Sequence, residues 1–283
     1  MSTLTTGRRW LRGENVRLTV AVVITAVYLL PVYWMLNTSF KAQADVFERP
    51  PALLPLPPTL AAYQSAVFGD PDIARGLANT AIIATGTTVL TLVVAVPAAF
   101  ALARLRLRFV TPALLLFLAV QMIPAVNLAL PMFVLFGRVG LVNTYAGLII
   151  ANCSLSIPLA ITIMRPYFLS VPGEVLEAAR VDGCTTFGAF VRVALPVSIP
   201  GVITMAVVSF LGAWGEFVFG LALATGDELQ PISVVIAKLT NAFGTRWNEL
   251  MAVSAVVAVP VIVLFVLLQR YIVAGLTDGA TKG

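Results

Sequence analysis

Charge is scarce in this chain of 283 residues, and its one group of three acids within ten residues, Glu174, Glu177 and Asp182, falls between Pro172 and Gly183. Glu174, Glu177 and Arg180 recur at i, i+3 and i+6, which places them on one face of a helix. Val175, Leu176 and Ala179 form the opposite, apolar face. Glu177 offers a carboxylate for charge-assisted hydrogen bonds to a partner. A further acid, Glu216, is the only one inside an apolar run long enough to span a membrane. Covalent chemistry has little to work with. His is absent, which removes the commonest general base and the commonest metal ligand. Cys153 lies in an apolar run and Cys184 in the charged stretch, so membrane depth separates them and neither a disulfide nor a metal site is expected. No Gly-x-x-x-x-Gly-Lys-Ser/Thr loop occurs, so nucleotide hydrolysis is not expected on this chain. No catalytic residue and no metal site is assigned.

The charged stretch must be held by short helices. Ser170 is the candidate N-cap, Pro172 suits the first turn and Glu174 favours the N-terminal dipole. The helix should stop at Asp182-Gly183, where glycine tolerates the left-handed conformation. A second helix should start at Thr185 or Thr186 and run to about Leu195, where Pro196 ends it. Roughly ten residues at about 1.5 Å each make a rod of about 15 Å, suited to a surface cleft. Ala178 and Ala179 keep that rod thin. Periodicity alone equally describes an amphipathic linker lying on lipid.

Composition places these helices in a membrane. The chain is 59% hydrophobic and 11% charged, with mean hydropathy +0.97. A soluble domain could not hide that much apolar surface. Six runs suffice to cross, at about 18–38, 79–102, 113–136, 145–164, 201–224 and 251–271. The first is too long for a signal core and is read as a transmembrane helix. Pro124 and Pro131 should kink or break the third. Placing both termini in the cytoplasm puts twelve Lys and Arg inside and six outside, as the positive-inside bias requires. Segment 165–200 then lies in the cytoplasm. The basic cluster Arg104, Arg106 and Arg108 reads as a topological anchor, and the excess of positive charge needs anionic lipid rather than nucleic acid. Outside, 41–78 is proline-rich and extended. In the second outside loop, 225–249, Ile232 to Leu239 is too short to span and should form a short helix or re-entrant segment. No internal repeat is visible. The expectation is one all-α integral membrane domain over 1–283, with six transmembrane helices and a cytoplasmic two-helix loop.

The spacing of that loop resembles the EAA loop of ABC importer permeases. The family pattern is Glu-Ala-Ala, three residues, Gly, nine residues, Ile-x-Leu-Pro. Here it reads Glu177-Ala178-Ala179, Gly183, then Val193-Ala194-Leu195-Pro196, with only Val for Ile departing. Asn79-Thr80 followed by Ala99-Phe100-Ala101-Leu102-Ala103-Arg104, the run Gly140-Leu141 with Asn143-Thr144-Tyr145, and Gln269-Arg270-Tyr271 extend the likeness over nearly the whole chain. They are similar to the maltose/trehalose type, in the shorter, six-helix partner of a heterodimeric pair. The family usually has Trp-Asn-Glu-Phe where this chain has Trp214-Gly215-Glu216-Phe217.

The resemblance implies a set of partners. A dimer of ABC ATPase subunits binds ATP and Mg, so no cofactor belongs to this chain. A homologous second permease and an extracytoplasmic sugar-binding protein complete the machine in the bacterial inner membrane. Glu177, Ala178, Ala179, Asp182, Gly183, Leu195 and Pro196 are the implied ATPase-coupling residues. The C-terminal tail is implied to touch the ATPases, and 225–249 to reach toward the binding protein.

Polar residues within the spans are candidates for the solute path: Glu216, Asn152, Asn127 and Gln121, with Ser156 on the face of Asn152. An intramembrane carboxylate costs about 2.5–3.5 kcal/mol even on the milder insertion scale, so Glu216 should face protein or water. Bonds to neighbouring helices account for these residues as well. The leading reading is a carbohydrate importer subunit that couples ATPase closure to alternating access. A glycerol-3-phosphate-type solute is the nearest alternative, and the near absence of Lys and Arg in the spans weighs against it. An ion-coupled secondary transporter would need more intramembrane acids and an internal repeat.

Overall fold

Each apolar run long enough to reach across a bilayer folds as helix, because lipid gives unpaired backbone groups no partner. The computed structural model describes residues 6–105, 108–241 and 244–280, with side chains for 15–105, 108–240 and 244–269. In chain order the helices are α1 (Thr6–Ser39), α2 (Pro71–Arg104), α3 (Val110–Gln121), α4 (Ala125–Arg138), α5 (Tyr145–Ser170), α6 (Gly173–Val181), α7 (Thr186–Ala189), α8 (Leu195–Val197), α9 (Ile199–Trp214), α10 (Val218–Leu223), α11 (Ile232–Lys238) and α12 (Trp247–Ala280). A two-residue pair, β1 (Thr240–Asn241) with β2 (Gly244–Thr245), is antiparallel. The all-α class expected from composition is observed.

Four helices, α1 from Asn15, α2, α5 and α12 to Gln269, are each long and apolar enough to cross a membrane. The pairs α3–α4 and α7/α8–α9 pass the same test together but bend by 98° and 77°, which gives up to six spans if each pair is one. The expected span 113–136 is therefore not one helix. Pro124 supplies no N–H to a continuing helix and instead precedes the first turn of α4. The expected span 201–224 is also interrupted, since α9 stops at Trp214 and α10 begins at Val218. The expected outside segment 41–78 is not non-helical throughout, because α2 already starts at Pro71, a good first helical residue.

The chain divides into two compact units. Residues 1–70 and 239–256 form one. There the proline-rich strand is tied to α1 by its carbonyls. Lys41 Nζ and Asn37 Nδ2 donate to Ala52 O at 2.6 and 3.2 Å, and Tyr33 OH donates to Leu53 O. Ser65 Oγ donates to Glu249 Oε1 at 2.9 Å, and Asn248 Nδ2 to Lys41 O at 3.3 Å. None of the apolar window of α1 is buried within the protein.

Residues 71–238 and 257–283 form the other unit. It is built on α2, α5 and α9, whose contacts use small residues: Ala84, Ala95, Ala99, Ala151 and Ala160 are fully buried, which lets helix backbones approach. Toward the C-terminal ends of α2 and α5 an aromatic triad closes the core. Phe100 lies 5.5 Å from Phe168 and 4.9 Å from Phe190, centroid to centroid. Toward the N-terminal end of α2, Asn79 and Thr80 hold the segment between α10 and α11. Asn79 Nδ2 donates to Glu228 O (2.9 Å) and Gln230 O (3.0 Å), while its Oδ1 accepts from Tyr145 OH (2.6 Å). Ile232 N donates to Thr80 Oγ1 at 2.8 Å. Twenty-five residues separate Asn79 from Arg104, about 37 Å of helix, more than the roughly 30 Å hydrocarbon layer.

Candidate functional site

The charged stretch folds into a stiff corner whose geometry follows from its end residues. Helix α6 closes on Gly183 with φ +89°. Cys184 N donates to Ala179 O (2.9 Å) and Gly183 N to Arg180 O (3.0 Å), the paired bonds of a Schellman motif. Thr185 then caps α7, its Oγ1 accepting from Gly188 N at 3.1 Å. Arg180 Nη2 reaches Thr186 Oγ1 at 3.5 Å across the corner. The Asp182-Gly183 stop and the Thr185 start are thus where local chemistry puts them.

Three local expectations need correction. Ser170 does not cap α6: α5 runs on through it, its Oγ donates to Tyr167 O at 2.8 Å, and Pro172 occupies the cap position. Only Val171 and Pro172 therefore separate α5 from α6. Pro196 does not end the second helix. The helix widens into a π-turn, Phe190–Ala194, so the missing N–H falls in the first turn of α8, and the chain bends at Ser198 instead. The apolar face is also rotated. Leu176 and Ala179 are buried in the core with Phe190, whereas Val175 is exposed. Ala179 therefore packs inside this chain, and Ala178 alone of the pair presents a small side chain outward.

Glu174, Glu177, Ala178, Asp182, Gly183 and Pro196 are all exposed, and Leu195 is half-buried. Val181 and Phe187 are exposed beside them, at 88% and 71%. The outer surface of the corner thus pairs carboxylates with uncovered apolar side chains.

A second site lies within the spans. A cavity of about 140 Å³ is walled by α2, α5 and α9, with Thr87, Asn152, Ser156, Ser209 and Glu216 as its polar lining. Ser156 Oγ and Ser209 Oγ are 2.7 Å apart and bridge α5 to α9. Asn152 Nδ2 donates to Leu148 O in its own helix at 2.9 Å. Glu216 sits in the break between α9 and α10, with one face on the cavity. Its Oε1 accepts from Phe219 N (2.8 Å) and its Oε2 from Gly220 N (3.1 Å), so the carboxylate caps α10. The Glu216 carbonyl accepts from Ser233 Oγ at 2.7 Å. Among the described residues no Lys or Arg lines the cavity.

The structure brings Asn152, Ser156 and Glu216 together and leaves out the other two path candidates. Gln121 ends α3 and donates to Phe117 O at 3.2 Å. Asn127 is exposed in the first turn of α4. The 98° bend between them leaves neither in the cavity wall. Sequence reasoning missed Thr87 and Ser209. The hydroxyl of Thr87 is fully buried and without a hydrogen-bond partner. No spacing rule distinguishes it from Thr88, whose hydroxyl bonds the Ala84 carbonyl. Gln269 lies at the end of the described side chains, and the side chains of 270–283, including the expected ATPase-touching tail, lie outside the described residues. Arg106 lies outside them as well.

The comparisons agree with this architecture. The family model described as "Binding-protein-dependent transport system inner membrane component" matches residues 92–278. A sulfoquinovosyl glycerol transport system permease protein of Agrobacterium fabrum is 35% identical over 271 residues, 96% of this chain and 95% of that protein. A trehalose transport system permease protein of Mycobacterium tuberculosis is 33% identical over 266 residues, covering 92% and 95%. A solved bacterial ABC transporter involved in import of the acidic polysaccharide alginate contains a chain of the same fold, with TM-score 0.79, 21% identity and coverage of 96% and 99%.

Proposed function

Since this chain belongs to the inner membrane components of binding-protein-dependent transport systems, ABC permease subunits that are not themselves enzymes, we propose that it is one of two permeases in an ATP-driven importer of a carbohydrate. The observation that carries the coupling is the corner at 173–197. Glu177, Ala178, Asp182 and Gly183 lie on its outer surface, while Leu176, Ala179 and Phe190 root it in the core of α2 and α5. A partner ATPase that seats this corner grips a part continuous with the membrane helices. Closed, ATP-bound ATPases favour one arrangement of those helices, and that differential affinity shifts the population toward the outward-open state. The corner then faces the cytoplasm with both termini, and ATP and Mg sit on the ATPase chains.

The cavity lining supports a choice of solute class. Its wall offers hydroxyls, one carboxamide and one carboxylate, with no cation among the described residues. That lining suits hydroxyl groups and repels phosphate, which favours a sugar over a glycerol-3-phosphate-type solute. An external binding protein delivers it. The names of relatives, a trehalose permease among them, support a sugar as cargo.

The test is purification of the tagged chain from native membranes in mild detergent, with identification of what accompanies it. An ATPase, a second EAA-bearing permease and a binding protein are expected, and the solute carried by that binding protein identifies the cargo. A chain that purifies alone and still transports after reconstitution overturns the proposal.

A further inference from the structure

On the footing that 173–197 is the ATPase-docking corner, we infer that Arg104 is a positioning residue that stitches this corner to α2 and makes its movement a movement of the membrane helices. A cluster of arginines at the end of a span needs no explanation beyond topology. Arg104 does something more specific. The last carbonyls of α5 have no intrahelical donor, and the segment after Ser170 leads directly into α6. Arg104 supplies the missing donors: Nε bonds Phe168 O at 3.0 Å, and Nη2 bonds Leu169 O at 3.4 Å and Val171 O. The stitch is returned from the other side, since Arg165 Nε donates to Leu102 O at 3.2 Å. Each helix end is thus held by an arginine of the other.

Packing makes this link stiff. Val171, the residue that leads out of α5, is 2% exposed and belongs to the same core cluster as Phe100, Phe168 and Phe190. Phe100 lies one turn before Arg104 and touches both other rings. The positive charge also sits where the C-terminal dipole of α5 favours it. A pull on the corner therefore passes to α2 and α5 together. Without the arginine fork, the carbonyls of Phe168, Leu169 and Val171 lose their tie to α2, and only side-chain packing is left to hold the segment between corner and span.

Lysine separates this role from topology. It keeps the charge that orients the span, but its point-like ammonium cannot serve the carbonyls that a planar guanidinium reaches with Nε and Nη2 at once. The test uses the full complex in nanodiscs, with Cys153 and Cys184 replaced by Ser and a reporter Leu159→Cys in the cavity wall. Labelling by a charged methanethiosulfonate is followed with and without ATP and vanadate. Trapping nucleotide is expected to change the labelling rate by about fivefold or more when Arg104 is present, the lower range of allosteric couplings. In Arg104→Lys the ATPases still co-purify and still trap nucleotide, but the change falls below about twofold. Arg165→Lys, which loses one returning bond, falls between the two. Arg108→Lys, an exposed neighbour in the same cluster, responds as the parent. An undiminished response in Arg104→Lys, with trapping intact, overturns the inference while leaving the docking proposal standing. No nucleotide response in the parent complex overturns both. Should Arg104→Lys fail to assemble, Arg165→Lys alone decides: a response equal to the parent's refutes the stitch.

Discussion

Asn79 is a single side chain whose removal should loosen one segment and leave the rest of the fold in place. It is 2% exposed and makes three hydrogen bonds, two to the carbonyls of Glu228 and Gln230 and one from Tyr145. At about 1 kcal/mol net per bond, Asn79→Ala should cost about 3 kcal/mol, or roughly 100-fold in the opening equilibrium of the segment it holds. The amide of Ile232, which donates to Thr80 Oγ1 in the same latch, reports that opening. Hydrogen exchange at Ile232 should therefore accelerate about 100-fold, while amides in the middle of α5 keep their protection. A double-mutant cycle sharpens the assay. Tyr145→Phe alone should cost about 1 kcal/mol, and almost nothing further once Asn79 is alanine. Exchange at Ile232 that is unchanged by Asn79→Ala, or full additivity of the two substitutions, refutes the latch.

Other perturbations follow from single contacts. Gly183→Ala should destabilise the detergent-solubilised protein by about 1–2 kcal/mol in a thermal melt, because φ is +89°. A Cβ there meets nothing within 4 Å, so the cost is conformational only, and Gly183→Asn should be milder. Glu216→Ala frees the Phe219 and Gly220 amides and should cost about 2 kcal/mol in the same melt. Lost transport with an unaltered melt would show that the carboxylate serves solute rather than α10. Asp227 accepts from Lys238 Nζ at 2.6 Å, and that hydrogen bond with its charge holds the carboxyl below the ordinary carboxylate range. A depressed folded-state pKa contributes above the unfolded value of about 3.9 and is lost as pH falls through the lowered one. Proteolytic nicking of the loop around Asp227 should thus be flat between about pH 5 and 8 and rise only in stronger acid.

What the sequence made legible was set by local backbone chemistry. The Gly183 stop, the Thr185 start, the break at Pro124 and the short helix α11 each depend on a few adjacent residues. Readings that needed the third dimension went astray. Leu176 and Ala179 turned inward as the stripe required, but Val175 did not, because helix period gives the stripe but not its rotation against a neighbour. Pro196 failed as a stop because a π-turn upstream absorbed its missing donor. Ser170 has the right chemistry for a cap, but α5 had not yet ended there. Gln121 and Asn127 qualified as polar residues in one span, and the bend that separates them removed the shared face. Arg104 looked like any cytoplasmic arginine, since nothing in its spacing points to carbonyls more than sixty residues away.

A common demand explains where the polar side chains of this unit went. Every break in a helix within or near the bilayer releases backbone groups that lipid cannot satisfy. Glu216 answers the released amides of α10, Thr80 the amide of Ile232, Asn79 two carbonyls before α11, and Arg104 the carbonyls at the end of α5. These four side chains are thus first repairs to broken backbone, and solute contact must be sought among groups with hydrogen-bonding capacity left over. Glu216 is an acceptor-only group that spends a lone pair of each oxygen on α10, whereas Ser156 and Ser209 share a single bond, which leaves one O–H donor as well as lone pairs for a solute hydroxyl. The expectation for solute recognition accordingly moves from the carboxylate to the serine pair. Ser156→Ala with Ser209→Ala should leave the melt within about 1 kcal/mol of the parent, the worth of one hydrogen bond, and yet impair uptake of the solute identified with the binding protein. Uptake that survives the double substitution while Glu216→Gln abolishes it would return the role to the acid.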